Sequence, residues 1–431
     1  MKKNINSLPF KTTFYHGLRW NGLESVLYYT IFMIHQLALR AVVDTQLYGI
    51  IGSLFALIYL TITVTNFGFD LTLAPFYQMF TKNKKLFNSY VVTQLILEFV
   101  IYSATGLVFF IFLRSWFLPI KAYGIPFSLI ISSLIITEGI KKSLRIILQT
   151  AFLTHKTATA ELFYIVSYVT IVWAYYSLYK TISLYTLFVP MIGLSLVTTL
   201  FLAISIYNLY RVLPETDLFE NRLSWQQIIF SRIKNYGYQL TKVFFTSNFL
   251  IPFFALTYGF SMAALLELVT AINQFVSIII QKIFGITGQA LFSLVKHKKQ
   301  KEKQAAFNLA ISKLYPILYA VLLISLVAYK PLFAYKTHVT SNTMFVAGLF
   351  FFILLFSENF TLLYEKWLII EEKTVSLILI NGMLIGLFYV ITRIPYWNSP
   401  AIPLIVLISL RIIAYITLRW VSQQMWKQTN M

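Results

Sequence analysis

Long apolar runs separated by short polar breaks set the layout of this chain. Thr45–Phe69 holds 25 residues without a formal charge, Thr181–Tyr210 holds 30, Val243–Leu266 holds 24 and Val375–Thr392 holds 18. A bilayer core takes roughly 20 apolar residues per helix, so each run can span or nearly span a membrane. The pattern predicts twelve spans, at about 15–38, 47–69, 86–113, 125–153, 157–179, 183–210, 236–257, 260–293, 306–329, 341–363, 373–393 and 400–422. Several exceed 20 residues, which implies tilt or extension beyond the lipid. The basic start Met1-Lys2-Lys3 leads into a long span without an A-x-A site, and reads as an uncleaved first helix.

The longest polar stretch, Arg211–Asn235, falls between the sixth and seventh spans. It divides the chain into an N-terminal six-helix lobe (1–212), a cytoplasmic linker (213–235) and a C-terminal six-helix lobe (236–431). Within the linker, LSWQQIIFSRIKN has a helical amphipathic period and reads either as a plain linker or as a helix on the inner interface. Six spans per half return the chain to its starting side, so the halves form a parallel repeat, an architecture used by transporters. Tyr48-Gly49 and Tyr258-Gly259 open corresponding spans, each leading to an inner basic loop (Lys82–Lys85 and Lys296–Lys303).

Charge fixes a preferred orientation. With the N-terminus inside, the inner segments carry 20 Lys and Arg and the outer ones 7: Arg40, Arg114, Lys121, Lys180, Lys330, Lys336 and Arg393. The positive-inside rule then puts both termini in the cytoplasm. The formal charge of +20, with 58% hydrophobic and only 12% charged residues, is therefore read as loop charge rather than as a nucleic-acid footprint. This composition excludes a soluble enzyme and a nucleic-acid-binding domain, and the lack of cysteine excludes a disulfide scaffold or Cys-ligated metal. The chain has no G-x-x-x-x-G-K-[ST] motif for ATP, and nothing in it calls for a cofactor.

Three runs resemble a known family. LYGIIGSLFALIYLTITVTNFGFDLTLAPF is similar to the second helix of polysaccharide (O-antigen type) flippases of the multidrug/oligosaccharidyl-lipid/polysaccharide (MOP) exporter superfamily. LRIILQTAFLTHKTATAELFYIVSY resembles their fourth-to-fifth helix turn, and LTYGFSMAALLELVTAINQFVSIIIQKIFG the start of their second lobe. The chain differs from the longer members, which add two further spans. The resemblance implies an all-α polytopic membrane protein with about 12 transmembrane helices, in two parallel six-helix lobes around a central cavity that opens alternately to each side. It implies flipping of a polyprenyl-diphosphate-linked oligosaccharide across a bacterial inner membrane. The implied partners are the lipid-linked glycan, membrane lipids, a coupling ion (H+ or Na+) and glycan polymerase machinery. An ion-coupled multidrug exporter of the same fold is the first rival. The second is a membrane glycan polymerase or glycosyltransferase, disfavoured because Asp44 is the sole acid in the expected outer loops.

Ionisable groups are costly in lipid, roughly 2.5–3.5 kcal/mol each at mid-bilayer, so those within spans should face protein or a wet cavity. On the fourth span, Glu138, Lys142, Arg145 and Gln149 share one helical face, and on the eighth Glu267, Thr270, Gln274, Ser277 and Gln281 do so. Asn21, Glu24, Tyr28 and His35 form a stripe on the first span, Gln94, Glu98 and Tyr102 on the third, and Glu161, Tyr164 and Tyr168 on the fifth. Hydrogen bonding and ion pairing within a lobe, such as Glu138 with Lys142, is the plain alternative to a cavity lining. Among the embedded cations, Arg19, Lys142, Arg145 and Lys242 are the candidate basic vestibule for a diphosphate, since clustered cations and bidentate Arg suit that group. Glu24 and Glu138 would hold these cations when no substrate is present. Lys141, Lys282 and Lys313 are expected to snorkel to the interface, Arg411 to pair with Glu358, and His35 to be hydrogen-bonded rather than to carry protons. Glu267 is a candidate coupling-ion site.

Overall fold

A computed structural model describes residues 9–69, 84–116, 118–151, 153–213, 215, 225–281, 292, 300–334, 342–371, 373–392 and 399–428. Among these the chain is all helical. The helices are α1 (Pro9–Val42), α2 (Thr45–Thr65), α3 (Thr93–Trp116, led in by Lys84–Phe87 and a π-helical turn Asn88–Val92), α4 (Leu118–Thr150), α5 (Thr154–Tyr179) and α6 (Leu184–Val212). The second half has α7 (Trp225–Val243), α8 (Ser247–Tyr258), α9 (Phe260–Ile280), α10 (Gln300–Ala334), α11 (Asn342–Ile370), α12 (Thr374–Thr392) and α13 (Ala401–Gln428).

Each of the twelve spans read from the sequence falls on one of these helices, with the seventh formed by α7 and α8 together. Among the described residues, nine segments are long and apolar enough to cross a membrane, and the α7–α8 pair, bent by 42°, makes a tenth. The other two expected spans fall on α4, with four charged residues between positions 138 and 145, and on the shorter α9. Apolar side chains line the outward faces. Ile96, Phe99, Val100, Leu107 and Ile111 stand exposed on α3, and Val189, Leu196, Leu200, Ile204 and Tyr207 on α6. Such ribbons belong against lipid tails. This is a multi-pass membrane protein.

The amphipathic stretch is helical from Trp225 on and continues in α7 to Val243, and the chain bends by 42° between α7 and α8, at residues 244–246. There Thr246 turns extended before α8, and Pro252 inside α8 adds a second irregularity. The Tyr-Gly pairs also differ in structure: Gly49 lies inside α2, whereas Gly259, at φ +88°, breaks α8 from α9. Gly285, Gly288, Lys282, residues 216–224 and the 293–299 part of the second basic loop lie outside the described residues.

Local sequence accounts for the helix ends. The Asp44 carboxylate accepts from the N–H groups of Gln46 (2.8 Å) and Leu47 (3.0 Å) at the start of α2, where a helix's unpaired donors and positive dipole end favour an anion. Ser183 and Thr186 form a reciprocal capping pair at the start of α6. Asp44→Ala should destabilise the protein by about 1 kcal/mol and Asp44→Asn by less, since Asn still accepts. A larger fall in unfolding midpoint in detergent for Ala than for Asn is the expected result; equal midpoints would rule the cap out as a stabilising contact.

The chain packs as two compact units. Unit 1 is Met1–His35 with Leu57–Gln239, and unit 2 is Gln36–Ala56 with Leu240–Met431. In unit 1 the hub is α4, packed on α3 and α6, with α5 also on α6. Phe69, Phe87, Ile147, Leu148, Leu202 and Ile206 form a buried core there. In unit 2 the hub is α11, packed on α9, α10 and α13. Trp367 of α11 is fully buried, with Phe292 edge-on at 5.1 Å and Phe307 at 5.6 Å between ring centroids.

Candidate functional site

The fourth long helix of each half carries an ionic cluster. In unit 1, α4 turns Glu138, Lys141, Lys142 and Arg145 toward one side, since steps of three, four and seven residues return to the same helical face. Arg145 binds two carboxylates: Nη2 is 3.0 Å from Glu24 Oε1 on α1, and Nη1 is 3.5 Å from Glu161 Oε1 on α5. Lys141 Nζ lies 2.7 Å from Glu138 Oε2 and 3.7 Å from the centre of the Tyr164 ring, a cation–π contact. Glu24, Glu138, Glu161 and Lys141 are all buried, and Arg145 is half-buried. From there Tyr164 stacks on Tyr168, whose ring lies 5.3 Å from that of His35. Trp173 Nε1 donates to His35 Nδ1 at 3.1 Å, so His35 is hydrogen-bonded as expected.

Unit 2 carries the counterpart with the charges exchanged. Lys242, in the last turn of α7, lies 2.9 Å from both Glu358 Oε1 and Glu365 Oε2 of α11. Thr361 Oγ1 steadies Glu365 by donating to Oε1 at 2.8 Å. Thus in unit 1 the first helix brings the acid and the fourth the base, while in unit 2 the first brings the base and the fourth the acids. Glu24 and Arg145 are 121 positions apart, and Lys242 and Glu365 are 123 apart. This matched spacing carries the internal repeat better than the Tyr-Gly pairs do.

Several expected contacts are replaced. Glu138 pairs with Lys141, at i+3, rather than with Lys142, and Lys141 is buried instead of snorkelling. Glu358 pairs with Lys242, while Arg411 is buried with its guanidinium 4.6 Å from the centre of the Phe245 ring. Of the four vestibule cations, Arg19, Lys142 and Arg145 fall in unit 1 and Lys242 in unit 2. Arg19 is exposed, and Lys142 and Lys242 are half-buried. Glu24 holds the vestibule cation Arg145, whereas Glu138 holds Lys141, which is not one of the four. Gln149, Gln274 and Gln281 are half-buried on their stripes, and the Asn21 side chain lies outside the described residues. On α9, Ser277 donates to Asn273 Oδ1 at 3.1 Å and accepts from Asn359 Nδ2 of α11 at 2.9 Å. This part of the stripe serves packing within unit 2.

Sequence reading missed two features. Glu365 lies beyond the expected end of the tenth span, because α11 continues to Ile370. Arg232, counted as loop charge, is buried among Gln94, Glu98 and the carbonyls of Asn66 and Phe67. The one signal was the Gln94–Glu98 stripe, which lacked an evident partner.

The described residues thus form two compact units, each with a central helix that carries ionic contacts. No family model and no curated protein matches the chain by sequence. Among solved structures it is similar to an inward-facing multidrug resistance MATE family transporter of the MOP superfamily, with a TM-score of 0.69 at 13% identity over 94% of this chain and 95% of that one. The outward-facing conformation of a MATE transporter matches at 0.68 and 13% identity, over 96% of each chain. A MOP superfamily transporter from Pyrococcus furiosus, described by a binding pocket of reverse polarity that suggests a different function, matches at 0.56 and 12% identity over 96% of each chain. The earlier resemblance therefore holds for the superfamily's fold, and these neighbours are MATE and MOP transporters rather than polysaccharide flippases.

Proposed function

We propose that this chain is a secondary transporter that works by alternating access and exports amphipathic organic cations in exchange for an ion. One observation carries the substrate class. Among the described residues six carboxylates are buried (Glu24, Glu98, Glu138, Glu161, Glu267 and Glu365) against three buried cations (Lys141, Arg232 and Arg411). The half-buried cations Arg145 and Lys242 each touch two carboxylates and bring the balance toward neutrality. Within the two clusters the carboxylates outnumber the cations that pair with them, Glu24, Glu138 and Glu161 against Lys141 and Arg145, and Glu358 and Glu365 against Lys242, so these paired cations offer no spare charge to offset desolvation of a diphosphate. A cationic substrate, by contrast, can take the place of Arg145 beside Glu24 and Glu161, a differential contact of the kind that shifts a two-state equilibrium. The MATE neighbours, which include a multidrug resistance transporter, support the same reading. Both termini inside, a bacterial inner membrane, and lobes of residues 1–212 and 236–431 joined by 213–235 complete the proposal, supported by the charge split.

Flipping of a lipid-linked glycan is the second reading. It is favoured by Arg145 and Lys242, whose side chains retain 28% and 25% exposure and so can reach a diphosphate. Ligand-induced stabilisation separates the two. Tetraphenylphosphonium should raise the unfolding midpoint of the detergent-solubilised protein, an effect lost in Glu161→Gln, and farnesyl diphosphate should not. Stabilisation by farnesyl diphosphate alone would reverse the assignment.

A further inference from the structure

Glu267 is a buried carboxylate with no role in either ionic cluster. Among the described residues it has no hydrogen bond and no ion pair. Its cover is the backbone of α2. A Cβ added to Gly52 would stand 2.8 Å from Cβ and Cγ of Glu267, and one added to Gly49 would strike the carbonyl of Phe260 at the start of α9. Residues without a side chain are what let α2 lie this close. Beside them Ser53, fully buried, donates to the Gly49 carbonyl at 2.8 Å, and fully buried Tyr48 donates to Gln36 Oε1 at 2.9 Å. Residues 36–56, the end of α1 and the first half of α2, pack in unit 2, while the rest of both helices packs in unit 1.

Among the described residues no charge at this seam answers Glu267. From α2 comes Tyr48. The end of α1 brings Arg40, which lies 5.9 Å from the Tyr48 ring centre and donates to Thr45 Oγ1 at 2.7 Å. Asp44, between them, is exposed and caps α2. From α8 comes Tyr258, and from α11 come Glu358 and Glu365, both on Lys242. Between Asn342 and Phe356 α11 has no ionisable side chain, and α9 has none besides Glu267. An ionised carboxylate enclosed without a cation is strongly unfavourable, so the closed seam requires the neutral acid.

We propose that Glu267 is a proton-carrying site and that the 36–56 hairpin is its cover. With the hairpin seated, the carboxyl keeps its proton. When the hairpin lifts from α9, water reaches the carboxyl, the proton passes to it, and the anion keeps the seam open until it is protonated again. This rests on the ion-coupled reading above, naming the ion as H+ and the gate that controls it.

The chain's lack of cysteine gives a direct test. In the full chain reconstituted in liposomes, Ser53→Cys reports the seam, and Gln46→Cys, at an exposed position, corrects for thiol chemistry. The ratio of their labelling by a methanethiosulfonate should rise several-fold from about pH 5.5 to about pH 8.5, a range that brackets titration of a buried carboxyl. Adding Glu267→Gln should hold the ratio at its acid level at both pH values. Adding Gly52→Ala, which wedges the seam, should hold it high at both. A ratio that ignores pH in the parent, or one that still follows pH in Glu267→Gln, would overturn the proposal. Organic-cation transport is measured separately on the same proteins. A pH-driven seam in a protein that moves no organic cation would keep the Glu267 site and remove the proposed substrate class.

Discussion

Glu98→Ala is expected to destabilise the protein by about 3–5 kcal/mol, the range for removing one partner of a buried ion pair. Arg232 of α7 is enclosed in unit 1. Its guanidinium reaches Glu98 and Gln94 of α3, donates from Nε to the Phe67 carbonyl at 2.9 Å, and donates from Nη2 to that of Asn66 at 3.3 Å. Those carbonyls are turned toward it by the turn that ends α2, where Phe67 and Gly68 take φ values of +52° and +74°. At Gly68 a Cβ would also meet the Arg232 carbonyl at 2.6 Å, so the turn and α7 are fitted to each other. Asn66 Nδ2 meanwhile donates to the Tyr102 hydroxyl at 3.2 Å on α3. Loss of Glu98 leaves a buried guanidinium short of its counter-charge, whereas the double change Glu98→Leu with Arg232→Met removes both charges and should be milder than either single change. Unfolding midpoints in an SDS titration measure all three. Additive losses, or a loss below about 1 kcal/mol for Glu98→Ala, would show that the pair is a weak surface contact.

Arg145→Gln is expected to lower transport by roughly thirtyfold or more, the factor that about 2 kcal/mol represents. Truncating one member of an enclosed, hydrogen-bonded charge pair generally costs at least that much. Here it leaves Glu24 and Glu161 facing one another without their shared cation. The two carboxylates would then share a proton or draw in a cation, and the exchange of a resident charge for a substrate charge would be lost. Arg145→Lys keeps the charge but not the two-pronged reach across α1 and α5, so it should retain part of the activity. Expression and insertion should be normal in both. Initial rates of substrate uptake into everted vesicles, normalised to protein amount, are the readout. Wild-type rates in Arg145→Gln would reduce this cluster to a structural role.

The spans were legible because burial in lipid forces long uncharged runs, and no soluble alternative uses 30 such residues in a row as Thr181–Tyr210 does. The break at residues 244–246 was not, since Phe244, Phe245 and Thr246 are as apolar as their neighbours and the bend lies in the backbone. Helical periodicity gave the face of α4 but not the pairing: positions 141 and 142 are both one turn from Glu138, and only the ring of Tyr164 across on α5 shows why Lys141 turns inward. For Arg232 and Glu98, 134 positions apart, nothing local in either segment announces the other. Glu365, a partner of Lys242, lies past the apolar run that marks the tenth span, and only the continuation of α11 to Ile370 brings it to Lys242. Arg411 was assigned to Glu358 on charge alone, and its actual neighbour is an aromatic ring.

Uptake into proteoliposomes tests most directly whether a site rich in buried carboxylates moves a cation. Purified full-length chain in sealed liposomes should accumulate labelled tetraphenylphosphonium when a proton or sodium gradient is imposed in the opposite sense, and Glu24→Gln and Glu161→Gln should each suppress that accumulation. The same liposomes should not speed the transbilayer movement of a fluorescent prenyl diphosphate. Accelerated movement of the prenyl diphosphate, with no gradient-driven uptake of the cation, would contradict the account.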